Sequence, residues 1–175
     1  MCDLKAWKMR WLLMNKWFQV VPMQEKHAAE VCSWRYDPPY DIYSWLPWEQ
    51  MQALEVEFGD AQLRSEQYVS ILDEGDELVG FAQYFPLIDV TRLGIGMKPD
   101  LCGYGYGHLF VSAIVEEALR RAPRNTIDLE VLTWNKRAIR CYEHVGFSIT
   151  DEYDKMTPKG VSQTFYCMVF QGFPR

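Results

Sequence analysis

The sequence predicts a mixed α/β sheet folded as a single domain, and three observations carry that prediction. Alternating apolar runs at 68–72, 78–85 and 91–97, separated by turn residues, read as an antiparallel meander. The stretch Pro99–His108 then sets Gly103, Gly105 and Gly107 between the last of these strands and an amphipathic helix. From there to residue 170 strands alternate with helices.

The bulk numbers bound the class. A chain of 175 residues, 49% hydrophobic and 24% charged, can bury a core of its own in one domain. A net charge of −6 argues against nucleic acid as a main partner and leans toward a neutral or cationic substrate. No apolar run is long enough to span a membrane. The five cysteines are odd in number, widely spaced and form no CxxC pair, so neither a metal site nor a disulfide framework is expected. Thiols of this kind suit a reducing, cytoplasmic setting. At the start, Lys5, Lys8 and Arg10 stand beside Trp7, Trp11, Leu12 and Leu13, which superficially resembles a signal segment. Asn15 and Lys16 cut that run short, so residues 1–13 read as an N-terminal extension to a domain of 14–175, with Met14 as an alternative start.

In order along the chain, Trp17–Val21 reads as a first strand stopped by Pro22, and Gln24–Trp34 as a helix with Ala28, Val31 and Cys32 on one face. Tyr36–Trp48 holds prolines and too many aromatics for a plain solvent loop. It either packs over the core or forms a substrate-facing wall with apolar faces and the carboxylates of Asp37 and Asp41. A second helix is expected from Trp48 to Phe58, stopped at Gly59. After the meander, the helix that follows the glycine loop buries Val111, Ile114, Val115, Ala118 and Ala122 and ends at Pro123. Ile127–Leu132 is a strand. Asn135 is a fitting N-cap for a helix whose inner face is Ala138, Ile139, Tyr142 and Val145, with Gly146 as its left-handed C-cap. Strands at 147–153 and 164–170 complete a sheet that leaves an edge strand open to pairing with a second copy.

The glycine loop is the chemical signal. Without Cβ atoms its N–H groups approach a ligand closely, and the helix behind it aims a positive dipole end at the same spot. A phosphate or pyrophosphate suits such a cradle, the alternative being a tight turn. A Walker loop is excluded because Gly107 is followed by His108 and Leu109, and the dinucleotide fingerprint because its third glycine would fall on His108.

Beside this loop stands Asn135-x-x-Ala138-x-x-x-Tyr142-x-x-x-Gly146-Phe147. With these blocks, Met97–Gly107 and Leu129–Phe147, the sequence resembles the GCN5-related N-acetyltransferase (GNAT) superfamily over residues 17–171. The resemblance implies a three-layer fold whose fourth and fifth strands splay apart, with acetyl-CoA in the opening. It implies cofactor contacts from Met97, Cys102, Gly103, Tyr104, Gly105, Tyr106, Gly107 and His108 and, along the pantetheine arm, from Asn135. The family's loop usually carries Arg or Gln where this chain has Cys102, so phosphate binding would rest on backbone amides. Tyr142 matches the usual general acid. Glu130 lies on the strand leading into the cleft, at the offset from Tyr142 that the base has in ribosomal-protein alanine acetyltransferases.

The implied reaction is direct transfer of an acetyl group to a primary amine of a small molecule or peptide. An amine of pKa ~10.4 is less than about 0.1% nucleophilic at neutral pH, so a proton acceptor is needed. Glu130 is the first candidate and Asp89 the second. A backbone N–H near Gly96 or Met97 would face the developing oxyanion, and a phenol would protonate the leaving thiolate. Cys102 and Cys141 have no histidine in an evident relay, and direct transfer needs no acyl-enzyme. A module that binds acyl-CoA without catalysis is the competing reading, and transfer to oxygen or of a longer acyl chain also stays open.

Overall fold

The computed structural model describes residues 17–157 and 160–174. The expected extension at 1–13 lies outside the described residues. Seven strands form one sheet in the order β1-β2-β3-β4-β5-β7-β6. They are β1 (Gln19–Pro22), β2 (Tyr68–Leu72), β3 (Leu78–Leu87), β4 (Val90–Met97), β5 (Thr126–Leu132), β6 (Phe147–Met156) and β7 (Ser162–Phe170). All neighbours are antiparallel except β4 and β5. The helices are α1 (Glu25–Ser33), α2 (Trp48–Ala53), α3 (Ala61–Gln67), α4 (Gly107–Arg121) and α5 (Lys136–Val145).

The layers follow from strand alternation. Val69, Ile71, Leu93, Ile127, Leu129 and Val131 turn to one face and meet α4 and α5 through Phe110, Ile114, Val115 and Ile139. Tyr68, Leu72, Leu78 and Phe81 turn to the other and meet Val31, Met51 and Phe58 from the first helices. The sheet is therefore sandwiched over β2 and β3, but among the described residues no helix covers its second face at β5–β7. Asp128 and Glu130 alternate onto that side.

β4 and β5 pair only from Val90↔Thr126 to Leu93↔Leu129. Beyond Leu93, β4 continues on β3 alone up to Gly80↔Met97, and β5 continues on β7 up to Leu132↔Phe165. This is the implied splay, and it opens at the strand ends that lead into the glycine loop and α5.

Two elements depart from the sequence reading. The helix expected to run to Phe58 stops at Ala53, because Glu55 takes a left-handed φ of 48°. The Val56 N–H donates to Met51 O at 3.2 Å and the Glu55 N–H to Gln52 O at 3.1 Å, which is a Schellman closure without its usual glycine. Gly59 serves another purpose, since a Cβ there would sit 2.1 Å from Met51 O. The second departure is α3, which the sequence reading passed over. Asp60 caps it by accepting from the Leu63 N–H at 2.8 Å, and its buried Arg64 donates to Phe58 O and pairs with Glu25.

Candidate active site

The mouth of the splay is built from β4, the glycine loop, the α4 N-terminus, the α5 N-terminus and the Tyr36–Trp48 segment. Gly103 and Gly105 adopt φ of +93° and +86°, and a Cβ on either would meet nothing within 4 Å. Tyr104 and Tyr106 point to solvent, so the loop offers backbone. The N-cap residue Tyr106 makes no side-chain cap bond, which leaves the first N–H groups of α4 for a ligand. Gly107 differs from the other two glycines: a Cβ there would lie 3.0 Å from Cys141 Sγ, so it permits α4 to approach α5.

Cys102 departs from the expected role. Its N–H is used on Pro99 O at 3.0 Å and its thiol turns back toward the carbonyls of Met97 and Lys98. Burial raises that thiol, with Arg137 opposing. Arg137 is the residue the sequence reading missed. Its guanidinium lies 4.2 Å from the Tyr40 ring, at the start of α5 and within electrostatic reach of Cys102, Tyr36 and Tyr43. The loop lacks its own cation, and this one stands beside it.

On β4, the Lys98 N–H donates to Val79 O, so by alternation Gly96 also faces β3 and the peptide groups of Met97 and Ile95 face the cleft. Met97 O accepts from the Tyr36 hydroxyl at 2.8 Å. Across the opening, Asn135 Oδ1 caps α5 by accepting from the Ala138 N–H at 3.2 Å, and its Nδ2 donates to the Tyr43 hydroxyl at 3.1 Å. The aromatic segment thus touches both walls. It also does what the packing alternative required, because Tyr36, Trp45 and Trp48 lie against the second core.

Tyr142 faces inward from α5, half-buried, with its ring 6.0 Å from Phe147. Its hydroxyl has no hydrogen-bond partner among the described residues. Burial, then Cys141 and Tyr43, push this phenol well above its ordinary value, so it keeps its proton.

Glu130 lies on the opposite face, and the splay joins the two sides. Its Oε1 accepts from Arg92 Nη1 at 2.8 Å and from the Tyr153 hydroxyl, and its Oε2 from Lys155 Nζ at 2.6 Å. Burial raises this carboxyl, but the Lys155 and Tyr153 hydrogen bonds and the charges of Lys155 and Arg92 hold it below the usual range. A carboxylate offers about four acceptor positions, so one remains, on Oε2. Asp89 does not fit the base role. It sits in the β3–β4 turn at φ 58°, and its carbonyl accepts from the Thr126 N–H at the closed end of the β4–β5 pair.

On the Glu130 side a pocket of about 290 Å³ opens between Asp41 and Ile42 of the aromatic segment, Trp134, and Thr157 and Gln163 of the β6–β7 hairpin. Gln163 fixes Trp134 by accepting from its Nε1–H at 3.1 Å. Tyr40 and Tyr43 pack against the same indole.

The sequence profile of the Acetyltransferase (GNAT) family matches residues 23–147, from α1 through the end of the Asn135–Phe147 block. The chain belongs to the GNAT acetyltransferase family. No curated protein matches it in sequence. GNAT structures with the same fold include spermidine N-acetyltransferase of Vibrio cholerae in complex with CoA and spermine. The TM-score is 0.69 at 14% identity, over 89% of this chain and 96% of that one. The same enzyme in a dodecameric intermediate state gives 0.66 at 12% identity, over 89% and 94%. A chimera of it with hSSAT gives 0.70 at 12%, over 87% and 94%. The mouth of this GNAT chain fits the family's cosubstrate, acetyl-CoA: two left-handed glycines face open space and the helix end behind them is uncapped. No helix among the described residues is long and apolar enough to cross a membrane.

Proposed function

We propose that the chain is an acetyl-CoA-dependent N-acetyltransferase acting directly on a primary amine that carries positive charge, borne by a small molecule or a peptide. The observation that carries this reading is the splay itself: it brings a phenol with an unused hydroxyl and a carboxylate with one open lone pair to opposite faces of one opening.

Acetyl-CoA, when bound, supplies a thioester carbonyl open to attack by an amine. The amides of Gly103–Leu109 and the Arg137 guanidinium hold its diphosphate. The acceptor approaches from the Glu130 side, along the pocket walled by Trp134 and Asp41. Its ammonium takes the acceptor position left on Glu130 Oε2, beside half-exposed Lys155. Glu130 then takes the amine proton directly or through water. The Met97 N–H, on the cleft edge of β4, faces the charge that develops on the carbonyl oxygen. On the other face Tyr142 gives its proton to the departing sulfur.

The acidic chain, the Asp41 and Glu130 carboxylates and the aromatic walls favour an amine with further cationic groups and an aliphatic body, which a polyamine has. The Vibrio cholerae enzyme of like fold is a spermidine N-acetyltransferase, which agrees with this choice. The test is thiol release from acetyl-CoA with a panel of polyamines, monoamines and peptide N-termini. Turnover with polyamines above the others is expected. CoA binding without turnover on any amine would leave an acyl-CoA-binding module instead.

A further inference from the structure

Arg92 stands directly opposite Asp128 in the β4–β5 ladder, and Leu93↔Leu129 is the last pair before the strands part. Glu130 is therefore the first residue of β5 with no β4 residue across from it. Alternation puts Arg92, Asp128 and Glu130 on one face of the sheet. From the closed ladder the Arg92 guanidinium reaches diagonally to the strand that has come free. The mechanism above uses neither Arg92 nor Asp128.

One guanidinium holds both carboxylates. Arg92 Nε donates to Asp128 Oδ1 at 3.0 Å and Nη2 to Asp128 Oδ2 at 2.7 Å, a two-pronged pair that fixes the plane of the group. Nη1 is thereby directed at Glu130 Oε1, 2.8 Å away. Asp128 is only 6% exposed, and Cys167 Sγ lies 3.8 Å from its Oδ2. A buried carboxylate is costly unless paired, and the partner of this one ends on Glu130. A lysine at 92 would carry the charge without the planar fork, so it could not grip Asp128 at both oxygens and still reach Glu130.

The other titratable groups on this face are Tyr153, Lys155 and Asp151 of β6 and Cys167 of β7, and Asp41 stands in the adjoining acceptor pocket. Tyr153 shares Oε1 with Arg92, and Lys155 bonds Oε2. Lys155 is half-exposed on the outer strand, whereas Arg92 is anchored within the sheet. Burial opposes the charge on Glu130, and the Lys155 and Tyr153 bonds, then the Lys155 and Arg92 charges, favour it. We propose that Asp128 and Arg92 are positioning residues for the transfer: Asp128 fixes the Arg92 guanidinium, and Arg92 fixes Glu130 Oε1 so that the open position on Oε2 meets the amine. The inference rests on the reading of Glu130 as the base.

Steady-state thiol release with the best amine of the panel tests it on the full chain, in a cycle of Arg92→Met, Glu130→Gln and the double variant, with unfolding temperature as the folding control. Arg92→Met should lower kcat about tenfold and leave the acetyl-CoA KM near its wild-type value. It should also move the acid bend of the pH profile to higher pH, because a cation beside Glu130 is gone. In the Glu130→Gln background the same change should cost less than about twofold. Asp128→Asn, nearly isosteric, should lower kcat about threefold, again only where Glu130 is present, and it carries the test if Arg92→Met does not fold. Arg92→Lys should keep the wild-type acid bend without restoring kcat. An equal loss in both backgrounds, or an unmoved acid bend in Arg92→Met, overturns the positioning role while the base reading stands. A Glu130→Gln variant that turns over at the wild-type rate, or a wild type that acetylates no amine, overturns the base reading and this inference with it.

Discussion

Tyr142 and Glu130 show how far single residues can be read. Their identities and order stood in the sequence, but their opposite faces did not, because facing depends on where β4 and β5 part. Nor did the sequence show that Arg92, Tyr153 and Lys155 converge on Glu130, since those partners come from two other strands, β4 and β6. Tyr142→Phe should lower kcat by about a hundredfold and leave the acetyl-CoA KM near its wild-type value, the range for loss of a general acid. Steady-state thiol release reads both constants. The pH dependence follows from the shifts. Glu130 is held low and stays ionised through the neutral range, and Tyr142 is held high and stays protonated. Activity should therefore rise with pH toward the amine's own value near ~10.4, with no inflection from Glu130 between pH 5 and 8 by order of magnitude. Because Glu130's folded value is depressed, its contribution to stability is complete above the ordinary carboxylate value of ~4.3 and is lost as pH falls through the lower folded one. Acid unfolding of Glu130→Gln should accordingly flatten below that point, and an unchanged acid limb would remove Glu130 from the account.

At the scale of elements, the most legible pieces were those whose ends carry their usual residues. Asn135 and Gly146 bound α5 as expected, and the three meander strands fall where alternation set them. The α2 end was missed because Glu55 occupies the left-handed position that glycine usually marks, while Gly59 stood nearby for a different reason. The three loop glycines looked equivalent, yet Gly103 and Gly105 take left-handed φ and face open space, while Gly107 permits close helix packing. This separates their substitutions. Gly105→Val has room for its side chain but a φ of +86°, so it should fold with a loss on the order of 1–2 kcal/mol and lose CoA affinity on the order of tenfold or more. Thermal unfolding and calorimetry measure the two effects. A folded variant with unchanged affinity would take the diphosphate off this loop.

Over the whole molecule, the sequence carried the fold class and the family block but not the sheet order beyond the meander. That β7 lies between β5 and β6 is set by long-range pairing, which local patterns do not encode. The core that holds the splay in place centres on α4. Phe110 is 2% exposed, meets Phe18 edge to face at 5.8 Å, and fills the space that a Cβ at Gly80 would occupy. Phe110→Ala should cost about 3–5 kcal/mol, read as a lowered urea midpoint with an unchanged slope. The central claim is that the parted strands admit a thioester between a phenol and a carboxylate. A crystal structure of the complex with CoA measures this directly. The account predicts the diphosphate on Gly103–Gly107 and the sulfur between β4 and β5, within hydrogen-bond reach of the Tyr142 hydroxyl. A sulfur lodged elsewhere, or a Tyr142 hydroxyl turned away from it, would contradict it.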